Sequence, residues 1–365
     1  MTAVAMKFFT IPRVLRWARA VVLTVHVVMS VGWLGIDGAL VALEVTGLSS
    51  VHPAVRAGIA ASTAVISCWV LIPVVFLSLV SGLALALFTQ WGLMRYWWVL
   101  AKSGIAAVLA AAGLVFLVPA LPQILAGRGE PAGMPTLIGR SVALVLLFAA
   151  TGLSVVKPWG KTPSGRRLQS MTAVGMKFFT IPRLSRRARA VVLTVHVVMS
   201  VGWLGIDGAL VALEVTGLSS VHPAVRAGTA ASTAVIACWL LVPVVFFALA
   251  SGLILGLSTP WGLARHWWVL AKCGIAAVLT AAGLVFLVPA LPQILTGGGE
   301  PAGMRTLIGR SVALVLLFAA TGLSVVKPWG KTPYGRRVRT RPPLPVQRTA
   351  QQKVQRTAQR RVQQK

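Results

Sequence analysis

Apolar positions fall into eight long blocks, at 20–47, 59–89, 97–125 and 138–156 and again at 190–217, 229–259, 267–295 and 308–326. Each block is near or above the roughly 20 residues that an α-helix needs to cross a hydrocarbon core. The pattern predicts an all-α membrane protein with eight transmembrane helices. Pro73, Pro119 and Pro122 lie inside the second and third blocks, where kinks, tilt or an interfacial end are expected.

The blocks repeat. Residues 1–167 align without gaps on 171–337 at a fixed offset of 170, and Ala18 to Gly58 is identical letter for letter to Ala188 to Gly228. Both copies open with MTAV and MKFFTIPR, so a tandem duplication of a four-helix unit is the expected organisation. The first unit is 1–167 and the second 171–337; 168–189 is a basic linker that includes the second unit's start, and 338–365 is a basic, Pro- and Gln-rich tail.

Charge placement predicts orientation. With the N-terminus in the cytoplasm, only Arg56, Arg128, Arg140, Arg226, Arg305 and Arg310 of the 35 Lys and Arg fall in outside segments, as the positive-inside rule requires. Four crossings per unit then give two parallel repeats with both termini cytoplasmic, in a multi-pass protein of the cell membrane. The basic start of the chain is not read as a cleaved signal, because its apolar run is too long and the arrangement recurs internally. The tail should be disordered or weakly helical, with contact to anionic lipid heads a secondary role.

Composition narrows the class. Of 365 residues 57% are apolar and 11% charged, against about 25% charged in soluble domains. The net charge of +29 would suggest nucleic acid in a soluble chain, but the basic residues flank apolar blocks and carry no nucleic-acid fold signature, so the expected partner is the lipid bilayer and not nucleic acid. Cys68, Cys238 and Cys273 lack C-x-x-C spacing, so neither a disulfide framework nor a metal site is implied. GWLGIDG is not a dinucleotide fingerprint, and no P-loop, zinc-protease or nucleophile-elbow motif occurs; no catalytic residue is assigned.

The chemistry lies in the first block of each unit. Four of the six acidic residues, Asp37, Glu44, Asp207 and Glu214, sit there, where a charged side chain at a helix centre costs about 2.5 to 3.5 kcal/mol on insertion scales. His26, Ser30, Trp33, Asp37, Leu40 and Glu44 follow steps of four and three and share one helix face. Gly32, Gly35 and Gly38 offer a close approach to a neighbouring helix. Glu44 is expected to form an ion pair with Arg140, and Glu214 with Arg310. Lys102 should lie at the depth of His26, beside an aromatic belt of Trp91, Trp97 and Trp98. Asp37 and Asp207 have no cation expected at their depth; a protonated acid bonding across helices and a proton or cation relay are both open. For His26 the choices are a neutral ring bonded to a carbonyl or hydroxyl, or a metal or haem ligand.

HVVMSVGWLG in the first block and TPWGLARHWWVLAK leading into the third resemble an uncharacterised actinobacterial family of small integral membrane proteins. More distantly, the His followed by W-x-G and the Lys after an aromatic-rich turn are similar to copper-resistance D-type and membrane protoporphyrinogen oxidase-type four-helix proteins. That likeness implies a haem or porphyrin cofactor and cofactor-binding roles for His26, Lys102, His196 and Lys272. The third and fourth blocks of the first unit hold no second histidine, so a ligand pair would have to join His26 to His196 across the units. Function is therefore open between a polar stripe that fixes packing, a haem- or metal-linked redox protein, and a proton- or ion-coupled transporter.

Overall fold

The computed structural model describes residues 13–88, 96–125, 133–157, 185–259, 262–295, 303–328, 330–334 and 336. The tail from 338, the linker before 185 and Trp91 lie outside the described residues. Among the described residues the secondary structure is helical, with no strand and only isolated bridge residues, His266 with Lys331 among them. Eight helical spans are long and apolar enough to cross a membrane, which fits an integral membrane protein.

The first half comprises α1 (Arg13–Ser49), α2 (Pro53–Val65), α3 (Ile72–Phe88), α4 (Trp97–Leu125) and α5 (Met134–Val156); the second comprises α6 (Arg186–Ser219), α7 (Pro223–Val235), α8 (Val242–Ser258), α9 (Trp267–Leu295) and α10 (Met304–Val326). α2 and α3 form one span, Pro53–Leu87, joined by the π-helical stretch Ile66–Leu71; α7 and α8 are joined likewise by Ile236–Leu241. Proline explains the widening. Pro73 and Pro243 lack an N–H and crowd the carbonyl four residues back, at Trp69 and Trp239, and a wider turn relieves that clash without ending the helix. The Ile72 N–H accordingly bonds to the Ser67 carbonyl, five residues back. Helix ends run beyond the apolar blocks, as at Pro53, where a proline preset for helical φ takes the first position.

α1 and α6 cross at the centre of the molecule. A Cβ on Gly35 would collide with the Gly202 carbonyl, and one on Gly205 with the Gly32 carbonyl, so the backbones touch as only glycine permits. Beside this crossing α2 meets α7, where a Cβ on Gly58 would stand 2.6 Å from the Gly228 Cα and the Ser232 hydroxyl donates to Ser62 Oγ at 2.9 Å. Ile36, Leu40, Leu43 and Ile66 pack there with Ile206, Leu210, Leu213 and Ile236, each at most 1% exposed. The fourth span of each half reaches across: Gly152 of α5 faces Thr194 of α6, and Gly322 of α10 faces Thr24 of α1. α4 and α9 lie at the edge and present Val108, Leu114, Val115, Val278, Leu284 and Val285 outward, as suits a lipid-facing surface.

Candidate functional site

Each half holds two polar clusters on its first helix, about 16 Å apart along the axis. At the Glu44 end, Arg140, two turns into α5, reaches both acids of α1. Its Nη1 lies 3.7 Å from Asp37 Oδ1 and its Nε 3.6 Å from Glu44 Oε1, while Nη2 donates to Ser67 Oγ in the π-helical stretch at 3.3 Å. At 3.6 Å Nε is beyond hydrogen-bond range and is left without a bonded acceptor. Both carboxylates are buried.

The expectation that no cation stands level with Asp37 is corrected: Arg140 does. Asp37 and Glu44 are seven residues apart and stack on one face, and the long guanidinium arm spans the two turns between them. In the second half Arg310 lies 3.7 Å from both Asp207 Oδ1 and Glu214 Oε1, although Ala237 stands where the first half has Ser67.

Thr136 adds a partner that the sequence reading missed. Its hydroxyl is shared between Glu44 Oε2 at 3.1 Å and the Gly133 carbonyl at 2.7 Å; in the second half Thr306 stands 3.0 Å from Glu214 and 2.7 Å from Gly303. The same oxygen accepts from the Gly133 N–H at 3.3 Å, so Thr136 ties the start of α5 to the acid of α1. The available signal was spacing, since Thr136 precedes Arg140 by one helical turn and so shares its face.

At the opposite end His26 points into its own half. Its Nδ1 lies 3.2 Å from the Ser78 carbonyl and 3.2 Å from Ser81 Oγ, while Ser81 donates to the Leu77 carbonyl at 2.6 Å. Only an Nδ1–H satisfies a carbonyl, so Nε2 is the acceptor and takes a bond from Lys102 Nζ at 3.1 Å. The ring also packs on Gly82, where a Cβ would stand 2.9 Å from Cε1. His196 is held in the same way by the Ala248 carbonyl at 3.1 Å, Ser251 Oγ at 3.2 Å and Gly252, but no hydrogen bond joins it to Lys272. α1 and α6 do meet, yet at their glycines; the two histidines each turn to their own third helix.

Close by, α5 ends at Lys157, whose φ of 50° is left-handed, a conformation that usually falls to glycine. Its Nζ stands 5.7 Å from the centroid of the Trp98 ring. Lys327 repeats both features, with φ of 50° and Nζ 5.9 Å from Trp268.

A haem iron needs a free imidazole lone pair. His26 Nε2 is committed to Lys102, so the first half does not fit an axial ligand as it stands. Among the described residues no three His, Cys, Asp or Glu gather as metal ligands would. Compared with known proteins, the chain matches no family model, no curated protein and no solved structure.

Proposed function

We propose that the chain is a proton-coupled membrane transporter in which the clusters Asp37–Arg140–Glu44 and Asp207–Arg310–Glu214 each bind and release a proton. One observation carries this reading: each half buries two carboxylates against a single guanidinium. In a low-dielectric span that imbalance is most cheaply removed by a proton on one acid. The alternative, that the stripe only fixes packing, would not call for an excess of acid over base.

The reading includes two parallel four-helix repeats with both termini in the cytoplasm, supported by the gapless internal alignment and the basic bias of the flanks. Proton flux into proteoliposomes is the test. Asp37→Asn with Asp207→Asn is expected to reduce flux at least about tenfold, the scale of losing one positioned proton carrier; unchanged flux removes the relay. C-terminal reporter fusions active only outside the cell would overturn the orientation.

The haem-linked reading retains one supporting observation, that Lys272 leaves His196 Nε2 without the bond that occupies His26 Nε2. A Soret band in protein from haem-supplied cells, lost in His196→Ala, would favour it over transport.

A further inference from the structure

The contacts described between the two halves come in reciprocal pairs. A residue of the second half carries the number of its first-half twin plus 170, so Gly202 and Gly205 are the twins of Gly32 and Gly35. Gly35 meets Gly202, and Gly205 meets Gly32. Gly152 faces Thr194 and Gly322 faces Thr24, where an added Cβ would stand 3.9 Å and 3.8 Å from the threonine methyl. Gly38 lies under Leu240, and Gly208 under Val70. Elsewhere a residue meets its own twin: Gly58 meets Gly228, and the Ser232 hydroxyl donates to Ser62 Oγ at 2.9 Å.

Reciprocity of this kind marks an isologous interface, in which both partners use the same patch about a twofold axis. A head-to-tail interface would use two different patches, and Gly35 on Gly202 would not be matched by Gly205 on Gly32. A patch that fits its twin also fits a copy of itself wherever the two carry the same residues, and Ala18 to Gly58 is identical to Ala188 to Gly228. Within the apolar cluster along the seam two positions differ, Ile59 against Thr229 and Val70 against Leu240. Neither obstructs the pairing of like with like. Two first halves would set Val70 over Gly38 on each side, the contact that Gly208 already makes at 3.9 Å; two second halves would set Leu240 over Gly208, the contact that Gly38 already makes at 3.5 Å. Thr229 donates its hydroxyl proton to the Arg226 carbonyl of its own helix at 3.0 Å, so a second threonine brings no unpaired donor to the seam.

We infer that this seam is a dimer interface in its own right and that the partner it fits is a second copy of the chain. Once the link between the halves is open, the first half of one copy takes the first half of another across the same seam, and second halves pair likewise. The intact chain is then a dimer tied into one polypeptide. None of this rests on proton coupling, since the acids and arginine of each cluster pair within their own half.

Two batches of the full chain test it, alike except for the affinity tag ahead of the first half, and each with a protease site in the linker before 185. Both are purified folded in detergent, cleaved and mixed. Capture on one tag should bring down about one quarter of the first halves as mixed-tag pairs, the statistical share when a half pairs equally with its copy and with its twin; uncleaved batches should bring down none. Ser62→Cys, in a background of Cys68→Ala, Cys238→Ala and Cys273→Ala, places two thiols across the axis of a pair of first halves. Mild oxidation should then give a disulfide-linked pair of first halves after cleavage and none before it. Should the cleaved halves come apart, a full-length chain with the sequence of 1–167 repeated in place of 171–337 should fold with a Tm within about 5 °C of the natural chain, the scale of one or two altered packing contacts. Original pairs that never exchange, exchange that joins first halves to second halves alone, or a repeated-half chain that fails to fold would overturn the inference.

Discussion

The two polar clusters of each half differ in how tightly the fold specifies them. The acid–arginine cluster is nearly superimposable between halves, with ion-pair distances of 3.6 to 3.7 Å in both, even though Ser67 is replaced by Ala237. The histidine–lysine cluster is not, since Lys102 bonds to His26 while Lys272 stands without that bond to His196. Position explains the contrast. Asp37, Glu44 and their twins sit on the central pair α1 and α6, whereas Lys102 and Lys272 come from α4 and α9 at the edge and reach inward on a long flexible arm.

The glycine crossing supports both clusters, so breaking it should have the largest effect. Gly35→Leu must push apart backbones already in contact, and a loss of about 3 kcal/mol or more is expected, seen as failure to purify as a folded species. Next comes Arg140→Gln, which leaves Asp37 and Glu44 facing each other with no cation; removing one partner of a buried pair costs about 3 to 5 kcal/mol. Thermal unfolding should show it well below Asp37→Asn, which leaves Glu44 and Arg140 as a balanced pair. If the two variants unfold alike, the shared guanidinium is not what holds the acids.

The asymmetry of the second cluster predicts a smaller difference. Lys102→Met removes a charge-assisted bond and should cost about 1.5 kcal/mol, while Lys272→Met should cost less than half of that. Equal shifts in Tm would mean that the two halves are not distinct at this end. Ser67→Ala should do least, about 0.5 kcal/mol, because the second half already keeps its cluster with Ala237 at that position.

How much could be read beforehand follows the same division. Hydropathy marks every span because lipid demands about 20 apolar residues whatever their packing. The i, i+3 and i+4 steps placed His26, Asp37 and Glu44 on one stripe. Depth counting from Cα positions missed Arg140 beside Asp37, since it ignores how far a guanidinium reaches along a helix. It also could not show that Gly35 would lie on Gly202, which depends on how two identical surfaces dock. Ser78, Ser81 and Thr136 were silent because a hydroxyl in an apolar run gives no hint of whether it bonds to its own carbonyl or to a distant ring.

The π-helical stretch before Pro73 has a consequence for helical phase. One extra residue in a turn rotates everything downstream by about 100° relative to a regular α-helix. Gly58 and Ser62 upstream face the other half, while Ser78, Ser81 and Gly82 downstream face His26. Both sets point inward only because the phase slips between them. Deleting a single residue such as Val70 would leave the upstream seam intact and swing the histidine's acceptors toward lipid, so the wide turn acts as the timing element that lets one continuous span serve two partners.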